Sequence, residues 1–204
     1  MRPGFDLLII TDGRPQLLPR LERALARAEP GRVAVVMREP HLRTAELVAL
    51  GRAMRSLTDG RGVLLLVSDR IDIAQAIDAD GVQLPEAGFA PDVARSLLGK
   101  HALIGVSRHS AEGLREAAAR GASFATLSPV HRVDGKAPPL GIPGFAVLSA
   151  QAKLPVYALG GVRLEDVPAL RTAHARGVAV MREVLSAEDP GLSTKRLLDA
   201  WTRY

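Results

Sequence analysis

Short apolar runs alternate with amphipathic stretches eight times along 204 residues, with no linker or low-complexity segment between them. The first strand-to-helix turn, Thr11-Asp12-Gly13-Arg14-Pro15, lacks the G-x-G-x-x-G pattern of an open dinucleotide-binding sheet. Together these observations predict a single-domain α/β protein over residues 1–204, a parallel (β/α)8 TIM barrel near the minimum length for one. An open doubly wound sheet is the alternative, but it normally needs fewer strands.

Each element has a reason in the residues. Phe5–Thr11 reads as the first strand, and the spacing of Leu17, Leu18, Leu21, Leu25 and Ala28 predicts a helix over 17–28, ended by Gly31. Arg32–Met37 is the second strand and Leu42–Leu57 the second helix. Gly62–Val67 is the third strand, followed by a short helix over Ile71–Ala79. Gly81–Leu84 is a short fourth strand, and Pro91 suits the first turn of a helix running to Leu98. Ala102–Val106 is the fifth strand; Ala111–Arg120 is a helix that Gly121 stops, with His109 and Ser110 as its caps. Ser123–Leu127 is the sixth strand. Ser128–Gly144 has no periodicity and is rich in Pro and Gly, as functional or mobile loops are. A helix over Phe145–Gln151 leads to a seventh strand, Leu154–Leu159. After a helix, Gly177–Met181 is the eighth strand, and a last helical pattern starts at Arg182.

Composition excludes several classes of protein. No apolar run reaches the length of a transmembrane helix, and Asp6 and Asp12 bracket the N-terminal apolar stretch, which argues against a secretory signal. With no Cys there is no disulfide, thiolate or Cys-ligated zinc chemistry, so a soluble cytoplasmic protein is expected. The net charge of +5 comes largely from 23 Arg among 27 basic residues. They lie singly among acids, and aromatics make up only 3%, so neither a nucleic-acid nor a membrane partner is expected and the core should be aliphatic.

In a barrel of this kind the chemistry gathers at the C-terminal ends of the strands. Those ends offer Thr11 and Asp12, Arg38 and Glu39, Ser68, Asp69 and Arg70, Gln83 and Glu86, and Ser107, Arg108 and His109. The sixth adds Thr126, Ser128, His131, Arg132, Asp134 and Lys136. The seventh gives the Gly160-Gly161 turn and the eighth the backbone of Val180, Met181 and Arg182, two adjacent corners whose N–H groups can hold a phosphate. The plain competing reading of Gly160-Gly161 is a tight turn and no more. A mouth rich in Arg, Lys and N–H donors suits small phosphorylated substrates, with Asp69 or Glu86 available to hold magnesium or act as a base.

Seven segments carry a resemblance when taken as an ordered set: VVMRE (35–39), LLLVSDRIDIAQAIDADGVQL (64–84), IGVSRHSAEGL (104–114), GASFATLSPV (121–130), KAPPLG (136–141), LPVYALGGV (154–162) and GVAVMREV (177–184). Over nearly its full length the sequence resembles the thiamin phosphate synthase/TenI family of small TIM barrels. The resemblance implies a pyrimidine diphosphate with magnesium and a thiazole phosphate, joined to give thiamin phosphate. It places the thiazole phosphate at Gly160-Gly161 and Val180–Arg182, and Ser107 matches the small hydroxyl residue after strand 5; Thr126 and Ser128 are further substrate-binding candidates. It implies Arg38 for the diphosphate, Lys136 as the loop lysine, and Asp69 with Glu86 as metal carboxylates.

Departures from the family pattern fall on one substrate. The glutamine before the arginine is Val36, the lysine after it is Pro40, and the asparagine before the aspartate is Ser68. The second magnesium aspartate falls at or near Gly88, and the Thr-x-Thr before the lysine reads Val133-Asp134-Gly135. The thiazole phosphate half is therefore intact and the pyrimidine diphosphate half eroded. Three readings stay open: a magnesium-dependent synthase, a metal-free TenI-like thiazole tautomerase with His131 as acid/base, and a non-catalytic binder. Plain alternatives are a solvated loop histidine at 131, a surface lysine at 136, a surface arginine at 38 and a helix N-cap at Asp69. Family members commonly associate, so a homo-oligomer is also open.

Overall fold

A computed structural model describes residues 3–202. The strands are β1 (Leu7–Ile10), β2 (Val33–Met37), β3 (Leu64–Ser68), β4 (Gly81–Leu84), β5 (Leu103–Arg108), β6 (Phe124–Leu127), β7 (Val156–Leu159) and β8 (Gly177–Val180). Every strand pairs in parallel with the next, and β8 closes on β1 through Leu7 opposite Val178. The predicted (β/α)8 barrel is observed. Helices α1 (Leu17–Leu25), α2 (Thr44–Asp59), α3 (Ile71–Ala76), α4 (Pro91–Leu98), α5 (Ala111–Ala119), α6 (Gly141–Ala150) and α7 (Val167–Thr172) cover its outside. A 3-10 turn at Leu164–Asp166 precedes α7, and β8 leads into one turn of α8 (Arg182–Leu185) and then α9 (Pro190–Thr202).

Several element ends differ from the sequence expectation: α1 stops at Leu25 and α3 at Ala76, each three residues early, and β7 starts at Val156. β5 runs two residues further, so Ser107 and Arg108 belong to the strand. Helix α6 starts at Gly141, because Pro143 falls in the first turn, where a missing N–H costs no helical bond. The separate α9 is unanticipated; Asp189 accepts the Leu192 N–H at 2.9 Å to start it, and it packs on α1, α7 and α8.

Alternation along each strand sorts the core into an outer layer beneath the helices and a lumen filled by Leu8, Ile10, Val36, Leu66 and Ala179. The expectation of a purely aliphatic core is corrected here. Phe5, Phe124 and Tyr157 close the lumen floor, with ring centroids 4.8 Å apart for Phe5–Tyr157 and 5.3 Å for Phe124–Tyr157. The Tyr157 hydroxyl donates to the Phe5 carbonyl at 2.7 Å, and burial raises its pKa above the ordinary phenol value. These rings fit because facing positions carry no side chain: a Cβ on Gly105 would lie 2.3 Å from Phe124 Cζ, and one on Gly177 2.6 Å from Tyr157 Cε1. The floor is sealed, which leaves the C-terminal mouth for ligands. Among the described residues no helix is long and apolar enough to cross a membrane.

Candidate active site

The mouth divides into three stations, set by which strands supply them. The first lies over β6, β7 and β8. The loop after β6 is stitched to the end of β7: Val130 N–H bonds Leu159 O and His131 N–H bonds Gly160 O, both at 2.9 Å. Gly160 (φ 98°) and Gly161 (φ 68°) hold the left-handed conformation that favours glycine. A Cβ on Gly160 would lie 2.8 Å from Pro129 Cα, and one on Gly161 2.8 Å from His131 Cβ. The bare faces of the two glycines admit the β6 loop. Their ligand-facing contribution is main-chain N–H; those of Gly161 and Arg182 meet no backbone acceptor among the described residues.

A cavity of about 1250 Å³ opens over this corner, and His131, Gly160, Gly161, Val180, Met181 and Arg182 all line it. Six predicted residues thus share one space. His131, half-buried in its loop, has a partner. Its Nε2 lies 2.9 Å from Asp166 Oδ2, which also accepts the Arg163 N–H at 2.9 Å. A carboxylate only accepts, so Nε2 is the donating nitrogen of this contact and Nδ1 is left for other partners.

The second station is a polar belt inside the lumen. Gln83 Nε2 donates to Ser107 Oγ at 3.2 Å and to Thr126 Oγ1 at 3.3 Å, tying β4, β5 and β6 together. Gln83 and Thr126 are buried, and Gln83 Oε1 has no hydrogen-bond partner among the described residues. Ser107 and Thr126 meet here, and their hub is Gln83. The sequence offered Gln83 as a strand-end residue but gave it no role.

The third station lies over β2, β3 and β4. Thr11 Oγ1 accepts the Arg38 N–H at 2.8 Å and donates to the buried Glu39 carboxylate, which fixes the chain after β2. The Arg38 side chain is exposed and pairs with no carboxylate among the described residues. Asp69 sits at φ 64° with its N–H on Gln83 O at 3.0 Å, and α3 has no side-chain cap, so the N-cap reading is set aside. Its neighbour Arg70 is committed to Asp72: that hydrogen bond holds the Asp72 carboxyl below its ordinary value. A Cβ on Gly88 would lie 3.2 Å from Asp69 Oδ1, so a carboxylate at that position would stand beside Asp69.

Glu86, Ser128 and Lys136 go elsewhere. Glu86 Oε2 faces His109 Nε2 at 3.8 Å, and His109 Nδ1 donates to the Ser128 carbonyl at 2.6 Å with Ser128 Oγ 3.4 Å away. Capping of α5 falls to Ser110 alone, whose Oγ accepts the Gly113 N–H at 3.1 Å; His109 instead bridges three strand ends. Lys136 is exposed and lines a separate cavity of about 360 Å³ formed within its own loop. Among the described residues no three His, Asp or Glu side chains converge as a metal cage. Asp69 fits magnesium of the other kind, which takes one or two carboxylates and completes its shell with substrate phosphates and water.

A family model described as "Thiamine monophosphate synthase" matches residues 7–184. A Geobacter sulfurreducens protein provisionally named thiamine-phosphate synthase is 42% identical over 201 residues, covering 95% of this chain and 93% of its own. The thiamine-phosphate synthase of Moorella thermoacetica is 33% identical over 205 residues, covering 98% of each. Among solved structures, thiamine phosphate pyrophosphorylase from Pyrococcus furiosus superposes with a TM-score of 0.89 at 30% identity, covering 99% of this chain and 98% of its own. With the barrel, the glycine corner and these full-length matches together, the chain belongs to the thiamine monophosphate synthase family.

Proposed function

We propose that this protein is a thiamin phosphate synthase that couples a thiazole phosphate to a pyrimidine diphosphate. The observation that carries the reading is the division of the mouth into two separate anion stations. One is the N–H corner of Gly161 and Arg182 on the cavity over β6–β8. The other is the exposed Arg38 after β2, next to the end of β3 that carries Asp69. Joining two phosphorylated substrates needs two such stations, whereas proton transfer within one substrate needs one.

In this reading the thiazole phosphate rests on the N–H groups of Gly161 and Arg182. The pyrimidine lies toward the belt of Gln83, Ser107 and Thr126, and Arg38 holds the diphosphate. Asp69 is the carboxylate for a magnesium ion carried on the diphosphate, with Glu86 reserved by His109. When bound, the metal supplies positive charge against the leaving diphosphate. The bond from the pyrimidine methylene carbon to the diphosphate oxygen breaks, and its electron pair leaves with the diphosphate. The thiazole nitrogen donates its lone pair to that carbon, forming the new C–N bond. Arg38 stabilises charge that builds up on the leaving oxygen, a term that grows in the transition state. Lys136 could join only if its loop carried it over the mouth, so it is a secondary candidate.

Incubation with both substrates and magnesium should yield thiamin phosphate, and a chelator should abolish the yield. Purified protein that binds both substrates and forms no product would overturn the reading.

A further inference from the structure

The cavity over β6–β8 does not end at the corner assigned to the thiazole phosphate. It runs outward along α9, where Leu192, Ser193 and Arg196 line it from one face of the helix. Its volume of about 1250 Å³ exceeds the roughly 300–1,000 Å³ of an ordinary small-molecule site. Two bonds fasten this outer wall to the corner. Ser193 Oγ donates to the Glu183 carbonyl at 2.7 Å, and the Glu183 carboxylate accepts the Leu164 N–H at 3.3 Å, which ties α9 to the chain after β8 and after β7.

The free charge on this wall is positive. Arg132, Arg182 and Arg196 line the cavity, are exposed, and pair with no carboxylate among the described residues. Most of the carboxylates around them are taken. Glu183 holds Leu164, Asp166 holds His131 and the Arg163 N–H, Asp189 holds the Leu192 N–H, and Glu165 faces Arg163 at 3.6 Å. Only the Glu188 side chain has no partner among the described residues, so three free arginines stand against one free glutamate. One phosphate is served by the N–H groups of Gly161 and Arg182; unpaired arginines beyond it suit a further anionic group, whose oxygens a guanidinium fork can take in pairs.

We propose that the outer arm of this cavity is a subsite for a second phosphate, so that the corner accepts the diphosphate ester of the product, with Arg196 recognising the added group. Arg196 is the fixed cation of the three beyond the corner, since it stands on a 13-residue helix fastened to both strand ends, whereas Arg132 belongs to the β6 loop. A product lengthened by a second phosphate then occupies the corner and shuts out thiazole phosphate, which makes the site sensitive to how far the product has been phosphorylated. The assignment rests on the synthase reading for the organic part of the ester. The positive wall does not.

The test is titration calorimetry in chelator, which keeps magnesium from the side of Asp69. Thiamin phosphate and thiamin diphosphate are the probes, and thiazole phosphate is the competitor. Wild type should bind the diphosphate at least as tightly as the monophosphate, and thiazole phosphate should displace both. Arg196→Gln should weaken the diphosphate about 5-fold, the scale of one exposed charge contact, and Arg196→Glu should weaken it further. Both variants should bind the monophosphate as wild type does. Wild type that binds the diphosphate about 10-fold or more below the monophosphate would overturn the proposal. So would an Arg196→Glu variant with wild-type affinity for the diphosphate, equal weakening toward both probes, or diphosphate that thiazole phosphate fails to displace. Coupling assays separate the two ideas. Diphosphate binding that depends on Arg196, in a protein that forms no thiamin phosphate, sinks the synthase reading alone. Product formation with diphosphate affinity indifferent to Arg196 sinks the subsite alone.

Discussion

The two sides of the mouth are built by different means. Over β6–β8 the main chain does the work: two glycines at positive φ, a loop bonded to β7, and N–H groups left free at Gly161 and Arg182. Over β2–β4 the work falls to single side chains, Arg38 and Asp69, with Val36 turned into an apolar lumen and Gly88 standing where a second carboxylate would fit. A main-chain site fails only when the fold around it changes, so it persists as a whole. A side-chain site can lose one group at a time, and other groups can compensate. Erosion on one side therefore does not count against the activity by itself.

The largest effect should come from the side-chain half. Asp69→Ala should lower coupling by about 100-fold or more, the usual scale for removing one preorganised electrostatic group. Unfolding temperature should fall by no more than a few degrees: Asp69 is exposed and caps nothing, and the loss is that of alanine in place of aspartate at φ 64°. Steady-state rates across a magnesium titration, with a melting curve alongside, check both points. A rate within a few-fold of wild type would show that no catalytic charge rests on this wall.

The main-chain half should respond in the opposite sense, with stability and binding falling together. Gly160→Ala places a Cβ at φ 98° and 2.8 Å from the Pro129 backbone, so both strain and displacement follow. Strain of this kind costs of order 1–3 kcal/mol. The variant should melt lower and bind thiazole phosphate about 10-fold more weakly, while its affinity for the pyrimidine diphosphate is kept. Calorimetry with each substrate separately would show it. If the weakening fell on the diphosphate instead, the assignment of the two stations would be reversed.

The same division explains what was legible in the sequence. Strand-and-helix alternation gave the barrel because apolar periodicity is a local signal, and Gly160-Gly161 stood out because glycine pairs mark special backbone. The role of Gln83 was hidden: the partners of an inward side chain depend on how neighbouring strands are staggered, and Ser107 and Thr126 are far away in sequence. The aromatic floor was hidden for the same reason, since Phe5, Phe124 and Tyr157 meet only once the barrel closes. His109 and Ser110 looked alike as caps, and only the position of the Ser128 carbonyl separates them. The commitment of Glu86 to His109 likewise needed the end of β5 in place.

The smallest effect is expected where the histidine of the main-chain half has its partner. His131 is about 40% exposed at its side chain and Asp166 13%, so their contact is worth no more than about 1 kcal/mol, as for other part-exposed pairs. Asp166 keeps the Arg163 N–H when the imidazole is removed, and the loop keeps its two main-chain bonds to β7. C–N bond formation at the thiazole nitrogen requires no proton from this side. His131→Ala should therefore couple within about 3-fold of wild type, which is less than 1 kcal/mol in the barrier, and melt within a few degrees of it. The informative measurement is the rate over pH 5.5–8, the range in which an ordinary histidine titrates. A loss of two orders of magnitude, or a pH profile that disappears with the imidazole, would mean that a proton passes through Nδ1 during turnover. The corner over β6–β8 would then be a catalytic station and not only a binding one, and the contrast between the two halves would have to be redrawn.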